Sequence, residues 1–261
     1  MFIDTHCHLD FEDFDKDREA VITRYRSAGG GLLVNAACDM ESTRRALALA
    51  HKYEFVYSSA GIHPHGAQDA ADRDIENIKE LAKDVKVVAI GEVGLDYHRN
   101  LSGTRSQKLL LEKFLAIAKE INKPVIFHTR DAWTDIIDMI KTWMTLPAKG
   151  LMHCFSGDEE ALKECLDMGL YISFACNLTF KNADKLRKIA AIVPMERLLL
   201  ETDSPYLAPE QLRGRRNEPS YLKFLIDAIA QLKGTQTEDV ENITARNAGA
   251  FFNIKTTAQD R

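Results

Sequence analysis

The sequence predicts one (β/α)8 barrel of the TIM type over residues 1–261, and three observations support this fold. Short runs rich in β-branched and aromatic residues alternate with amphipathic stretches, which is typical of a parallel sheet covered by helices. About eight strand-like runs can be counted, the number that closes such a barrel. A length of 261 residues suits a single barrel, and no Pro/Ser-rich linker or low-complexity segment divides the chain.

The strands are predicted from short apolar runs bounded by turn-forming residues. The first, FIDTH, opens the chain. The second follows the glycine run AGGGLL at 28–33, which precedes a strand and therefore indicates a tight turn rather than a phosphate-binding loop. The predicted strands span residues 2–6, 31–36, 55–61, 86–91, 124–128, 150–154, 170–175 and 197–202.

The gaps between these strands carry a helical pattern. It is clearest at 105–121, RSQKLLLEKFLAIAKEI, where apolar residues recur three and four positions apart. Helical segments near 220–233 and 238–251 are predicted to close the chain. Trp133 and Trp143 also lie on a helical pattern and are predicted to be core side chains rather than a surface for stacking bases.

Composition narrows the class of protein. The chain has no run of about 18 apolar residues and no signal-peptide pattern, so we expect a cytoplasmic protein that does not contact membranes. Five cysteines, an odd number without a CxxC motif, indicate reduced thiols. A net charge of -5 argues weakly against a general nucleic-acid binder, although a local basic patch can override it. Nothing in the sequence indicates an obligate protein partner.

The stretch FIDTHCHLDF at residues 2–11 places two histidines one residue apart. Side chains alternate along a strand, so His6 and His8 share a face while Cys7 points to the other side. Two neutral imidazoles on one face can grip a metal ion. Taken alone, the stretch is equally compatible with two surface histidines on an edge strand.

The wider pattern favours the metal site. Polar side chains lie at or just past the carboxyl ends of several predicted strands, and this rim forms the active face of such barrels, so they are expected to converge. A lone histidine is more often structural, but several on one rim with carboxylates indicate metal ligands. The side chains are His6 and His8 after strand one, His63 and His65 after three, Glu92 after four, His128 after five, His153 after six and Asp203 after eight.

This set exceeds what one ion needs, because a catalytic zinc takes three protein ligands and a water. A shared carboxylate can join two divalent ions that clamp the oxygens of a displacement reaction, and Glu92 is placed to be that shared ligand. Imidazole and carboxylate ligands suit zinc, manganese or magnesium, and the sequence does not choose among them.

The residues resemble the TatD family of metal-dependent deoxyribonucleases. The similar motifs run nearly end to end: IDTHCHLD, GIHPH, AIGEVGLDY, KPVIFHTRDA, HCFSG, YISF and LLLETDSPYLAP followed by RGRRNEPSYL. The resemblance implies a barrel of the metal-dependent hydrolase kind. It also implies that two divalent ions and a metal-activated water cleave DNA phosphodiesters, with single strands or ends as substrate and a 3′–5′ exonuclease as the expected activity.

The resemblance also implies roles for individual residues. His6, His8, Glu92 and Asp203 would hold one ion, and Glu92, His128 and His153 the second. Asp203 would also act as general base, while His63 and Arg130 would lie near the scissile phosphate. The likeness of the basic loop at 213–216 to the family's RRNEP segment makes Arg215 and Arg216 candidates for binding the substrate backbone. Glu201 and Asp4 are expected to support the ligands rather than bind metal.

Other functions remain open at this stage. The same two-metal site could serve a D-aminoacyl-tRNA deacylase or another amide or ester hydrolase. Many two-metal amidohydrolases share a modified lysine at the end of strand four. Here that position carries Glu92 and Lys86 lies at the opposite end of the strand, which favours the phosphodiesterase. A non-enzymatic barrel with a structural metal is less consistent, since structural zinc sites are closed and often cysteine-rich.

Overall fold

The computed structural model describes residues 1–99, 101–144 and 149–256. Its eight strands belong to one sheet in which each strand lies next to the one that follows it in sequence, and the pairs β1–β2, β3–β4, β4–β5, β5–β6 and β7–β8 are parallel. The strands are β1 Phe2–Cys7, β2 Gly30–Asn35, β3 Val56–Ala60, β4 Val87–Asp96, β5 Val125–Arg130, β6 Gly150–Met152, β7 Tyr171–Phe174 and β8 Leu198–Leu200.

Helices separate the strands, as the (β/α)8 pattern predicts. Asp39 and Asp158 begin α2 and α6 because their carboxylates accept hydrogen bonds from backbone N–H groups in the first turn. The helices of the described residues are α1 Arg18–Ser27, α2 Met40–Lys52, α3 Asp72–Leu81, α4 Thr104–Glu120, α5 Trp133–Trp143, α6 Glu159–Asp167, α7 Asp184–Ile192, α8 Leu222–Lys233 and α9 Thr237–Phe252.

The contacts divide the chain into two compact units. The first comprises Met1–Asn35 and the chain from Ile172 onward, and so holds β1, β2 and β8 with nearly all of β7. Within it, the segment that follows β8 runs beside the end of β1: the Asp203 N–H donates to the His6 carbonyl (2.9 Å) and the His8 N–H to the Ser204 carbonyl (2.8 Å). These bonds place the Asp203 carboxylate beside His6 and His8.

The second unit, Ala36–Tyr171, holds β3 to β6 with α2 to α6. Its strand β4 corrects the prediction that Glu92 ends a strand, because the strand continues to Asp96. The sequence GEVGLD resembles a turn, but Gly94 pairs with His128 of β5, and a Cβ on Gly94 would lie 1.9 Å from the His128 carbonyl oxygen. Glycine therefore permits a close approach of two strands here instead of ending one.

The other predicted strands differ from the observed ones by one or two residues at their ends. The helix boundaries at 105–121, 220–233 and 238–251 are likewise close to those of α4, α8 and α9. Trp143 is a correction: it is 40% exposed at the last residue of α5, whereas Trp133 packs against Phe155 with ring centroids 4.8 Å apart. That residues 1–261 form a single domain stays a prediction. In the described part of the chain, no helix has the length and apolar character that crossing a membrane requires.

Candidate metal centre

The first unit brings together His6, His8 and Asp203, which we call the first ligand group. His6 lies within β1, His8 directly follows it, and Asp203 follows β8 by three residues. The His6 and His8 side chains are 0% and 3% exposed, and that of Asp203 is 15% exposed. The HxH pair is thus a buried pair, and the alternative of two surface histidines on an edge strand is wrong.

The spacing of these atoms fits a divalent ion. His6 Nε2 and His8 Nε2 are 3.3 Å apart, and Asp203 Oδ1 is 3.9 Å and 3.4 Å from them. Two ligands that each lie about 2.0–2.1 Å from a tetrahedral ion are roughly 3.3–3.4 Å apart. Two imidazole nitrogens and one carboxylate oxygen are also a donor set that zinc or manganese accepts.

The first ligand group rests on a buried hydrogen-bond network. Asp4 accepts from the Thr202 hydroxyl (2.6 Å) and backbone N–H (3.0 Å), and the Asn217 side chain donates to the Thr202 carbonyl (2.9 Å). Burial raises the pKa of Asp4 to about 8 despite these bonds. Asp4 therefore holds the chain after β8 against β1, which agrees with the supporting role expected of it.

Two side chains next to the first ligand group, those of Cys7 and Glu201, make hydrogen bonds to residues outside the group. The Cys7 thiol is buried and donates to the Val34 carbonyl, as alternation along a strand predicts. Glu201 is buried and accepts a hydrogen bond of 2.8 Å from the Ser173 hydroxyl. Both contacts agree with structural roles.

The second unit brings three predicted imidazoles around one carboxylate, and we call Glu92, His128, His153 and His63 the second ligand group. Glu92 Oε1 lies 2.6 Å from His128 Nδ1, 3.2 Å from His153 Nε2 and 3.6 Å from His63 Nε2. The four side chains come from β4, β5 and the loops after β6 and β3. This group also offers a mixed imidazole and carboxylate donor set.

Electrostatics favour an ionised Glu92. Burial alone raises the pKa of its carboxyl group, but the surrounding imidazoles, His153 and His63 by their charge and His128 by its hydrogen bond, outweigh burial and hold the pKa well below its usual range. Glu92 is therefore a carboxylate anion at neutral pH, the form that binds a cation.

His63 differs from the other two imidazoles in its hydrogen bonding. The backbone N–H of His65 donates to His63 Nδ1 (3.2 Å). Because that nitrogen accepts, the proton of a neutral His63 lies on Nε2. A metal ligand needs an unprotonated nitrogen facing the ion, so this arrangement favours His63 as a hydrogen-bond donor and leaves His128 and His153 as the imidazole ligands.

Asp96 is a further candidate functional residue, and the sequence did not single it out. Its Oδ2 is 3.2 Å from His128 Nε2 and 2.8 Å from His65 Nε2. Since the other nitrogen of His128 faces Glu92, Asp96 fixes the orientation of that ring, as carboxylates do for metal-binding histidines. Burial alone raises the pKa of the Asp96 carboxyl group. Hydrogen bonds from His128, the Arg99 backbone and His65 outweigh burial, so the pKa lies well below its usual range. The signal that could have found Asp96 is its position four residues after Glu92 on the same strand face.

The predicted arginines lie in different surroundings. Arg130 is exposed at the last residue of β5, and Arg215 is exposed in the loop after β8. Arg216 is instead paired with Asp17 (2.7 and 2.8 Å), and its guanidinium lies 4.5 Å from the centre of the Phe14 ring. Arg216 is thus engaged by other residues of the chain at the partly exposed surface, and this geometry favours a structural role over the predicted contact with substrate.

Clustered imidazole and carboxylate groups on a (β/α)8 scaffold are typical of one class of protein, the metal-dependent hydrolases, and comparison with known proteins agrees. The family model described as TatD related DNase matches residues 3–253. The uncharacterized metal-dependent hydrolase YabD of Bacillus subtilis is 42% identical over 97% of this chain and all of its own length. The 3′-5′ ssDNA/RNA exonuclease TatD of Klebsiella pneumoniae is 35% identical over 96% of this chain and 97% of its own.

A solved structure extends the similarity to the fold. YjjV, a TatD homologue from Escherichia coli K12, superposes with a TM-score of 0.91 at 30% identity, covering 97% of this chain and 98% of its own. The chain belongs to the TatD family of metal-dependent hydrolases. This confirms the resemblance, the (β/α)8 fold and the enzyme class that the sequence predicts.

Proposed function

We propose that this enzyme hydrolyses phosphodiester bonds at the ends of single-stranded nucleic acid, DNA in particular, and removes nucleotides in the 3′–5′ direction. The observation that carries the proposal is the pair of ligand groups, each with imidazole and carboxylate donors, in a chain similar over almost its whole length to an exonuclease that acts on ssDNA and RNA.

Two ions are proposed from the number of ligands. His6, His8 and Asp203 supply one set, Glu92, His128 and His153 supply the other, and Glu92 is proposed as the ligand that both ions share. Divalent ions in such a site would neutralise charge on the phosphate oxygens and lower the pKa of water. The identity of the metal, zinc, magnesium or manganese, is left to experiment.

The protein's own side chains would position the substrate and accept the proton of the attacking water. Asp203 is proposed as the general base, because it is the most exposed member of the first ligand group and can receive a proton from the attacking water. His63 would donate a hydrogen bond from its Nε2–H to a phosphate oxygen. Arg130 and Arg215, both exposed, would bind the backbone of the strand without reading its sequence.

The test uses the purified protein, stripped of metal by a chelator and resupplied with Mg²⁺, Mn²⁺ or Zn²⁺. The substrates are a 5′-labelled single-stranded DNA oligomer, the matching RNA, a D-aminoacyl-tRNA and a small amide. We expect metal-dependent release of mononucleotides and a ladder that shortens from the 3′ end. Metal-dependent hydrolysis of the aminoacyl ester or the amide alone would assign the same site to the alternative activity.

A matched pair of variants tests whether the ligand group is responsible. His153→Ala removes a member of the second ligand group, whereas His51→Ala removes an exposed imidazole on α2 that pairs with Asp84. Release of nucleotides should be lost in His153→Ala and unchanged in His51→Ala. Equal activity of the two variants would contradict the assignment.

A further inference from the structure

Two aromatic rings that the sequence did not single out lie beside the first ligand group. The Phe11 ring stacks on the His8 imidazole, with centroids 4.6 Å apart and an interplanar angle of 18°. The Tyr206 ring meets both of them edge-on, with its centroid 6.3 Å from His8 and 6.3 Å from Phe11. The three rings form one aromatic cluster that includes a proposed metal ligand.

Tyr206 is the exposed member of this cluster. It is 54% exposed, whereas Phe11 is half-buried and His8 is buried. The Phe11 ring has a structural role, since it stacks on the His8 imidazole and holds it in place. More than half of the Tyr206 surface is exposed beside the ligand group, so this residue adds little to the core.

The segment that carries Tyr206 is fixed by hydrogen bonds at both sides. The Tyr206 N–H donates to the Asp203 carbonyl (2.9 Å), and the Asn217 N–H donates to the Pro205 carbonyl (3.0 Å). Thr202, directly before Asp203, is held by Asp4 and Asn217. Tyr206 is therefore presented at a defined place three residues from the proposed general base, so a partner that stacks on it binds a surface that is already ordered.

We infer that Tyr206 is a stacking platform for a nucleobase next to the scissile phosphate. This inference rests on the proposed function and names the part of the substrate that the site recognises. A phosphodiester at the first ligand group carries a base within reach of a neighbouring ring, and an unpaired base has a free face to offer. Stacking on an aromatic side chain tolerates every base, which suits an enzyme that removes successive nucleotides.

The experiment compares two single-stranded DNA oligomers with the metal-loaded protein. One is normal, and the other carries abasic residues at its last two 3′ positions. The proteins are wild type, Tyr206→Ala, Tyr206→Phe and Trp143→Ala, which removes an exposed aromatic ring at the far end of α5. Circular dichroism and bound metal are measured for each variant, so that a folding defect or loss of metal is recognised.

Wild type should bind the normal oligomer more tightly than the abasic one, with a KM lower by about fivefold or more. Tyr206→Ala should raise KM for the normal oligomer to that of the abasic one and leave kcat and metal content nearly unchanged. Tyr206→Phe, which keeps the ring, and Trp143→Ala should behave as wild type.

Several results would overturn the platform. If wild type cleaves both oligomers with the same KM, or if Tyr206→Ala loses activity equally on both, Tyr206 does not bind a base, although the nuclease assignment stands. If wild type releases no nucleotide from either oligomer with any of the three metals, the proposed function itself fails, and the platform fails with it.

Discussion

The two ligand groups are built in different ways. The first takes two of its three members from a single stretch of three residues, and its third from the segment held against that stretch by backbone hydrogen bonds. The second takes each of its four members from a different strand or loop, and none of its members are neighbours in sequence. A local motif thus defines the first group, whereas the alternating topology of the strands assembles the second.

The supports of the groups differ as well. Stacking by Phe11 and the Asp4–Thr202 network hold the first group. In the second group, the Asp96 carboxylate accepts a hydrogen bond from His128, and the His65 backbone N–H donates one to His63. The comparison indicates that the first group depends on one aromatic contact and a buried network, and that the second depends on single side-chain orientations. Variants that separate these dependences test the account.

The largest effect is expected for Glu92. Glu92→Ala removes the one carboxylate of the second group and the proposed shared ligand, so hydrolysis should fall by at least about a hundredfold. Elemental analysis should show less metal per chain than in His128→Ala, which is expected to lose mainly one ion. Metal content that is the same in Glu92→Ala as in wild type would contradict a shared role.

The next effect concerns Asp203. Asp203→Asn keeps an oxygen that can bind metal but removes the proton acceptor, so kcat should fall by roughly a hundredfold or more while metal content falls far less. Parallel measurement of kcat and bound metal checks this. Near-normal kcat with normal metal content would show that another group is the base.

Asp96 tests the support of the second group. Asp96→Ala frees the His128 ring to rotate, and metal affinity or activity should fall by about 10–100-fold. Because the first group does not depend on Asp96, about half of the bound metal should remain. His51→Ala breaks the 2.9 Å bond between His51 and Asp84 from its exposed side, keeps the hydrogen bond from the Lys86 N–H to Asp84, and is the control, expected to change neither quantity. A loss in both variants would indicate a general effect on folding.

The smallest effects should separate the two arginines of the loop after β8. Arg216→Ala removes the pair with Asp17 and the contact with Phe14, which should cost about 1 kcal/mol of stability and lower Tm by roughly 2–4 °C, with little change in KM. Arg215→Ala should leave Tm unchanged, raise KM for oligonucleotides and reduce the slope of affinity against salt, on logarithmic axes, by roughly 0.7. Equal effects of the two changes on KM would indicate that Arg216 also binds the substrate.

Much of this architecture could be predicted from the sequence, because strands and helices alternate with clear periodicity and because the carboxyl ends of parallel strands share one rim. The two-residue period of a strand was enough to predict that His6 and His8 share one face. The course of β4 was missed, since Gly91 and Gly94 look like a turn until the close approach of His128 is known. Asp96 has a local signal, its position four residues after Glu92, but that signal depends on β4 continuing past Glu92. The positions of Tyr206 and Arg216 depend on contacts between residues far apart in sequence, which no local pattern records.

The most direct test of the account counts metal ions while it measures activity. Protein stripped of metal is titrated with Mn²⁺ or Zn²⁺, and bound ions per chain and the release of nucleotides from a single-stranded oligomer are followed together. The account predicts no release without metal, saturation at two ions per chain, and activity that rises as the second ion binds. Full activity with one ion per chain, or after complete removal of metal, would contradict it.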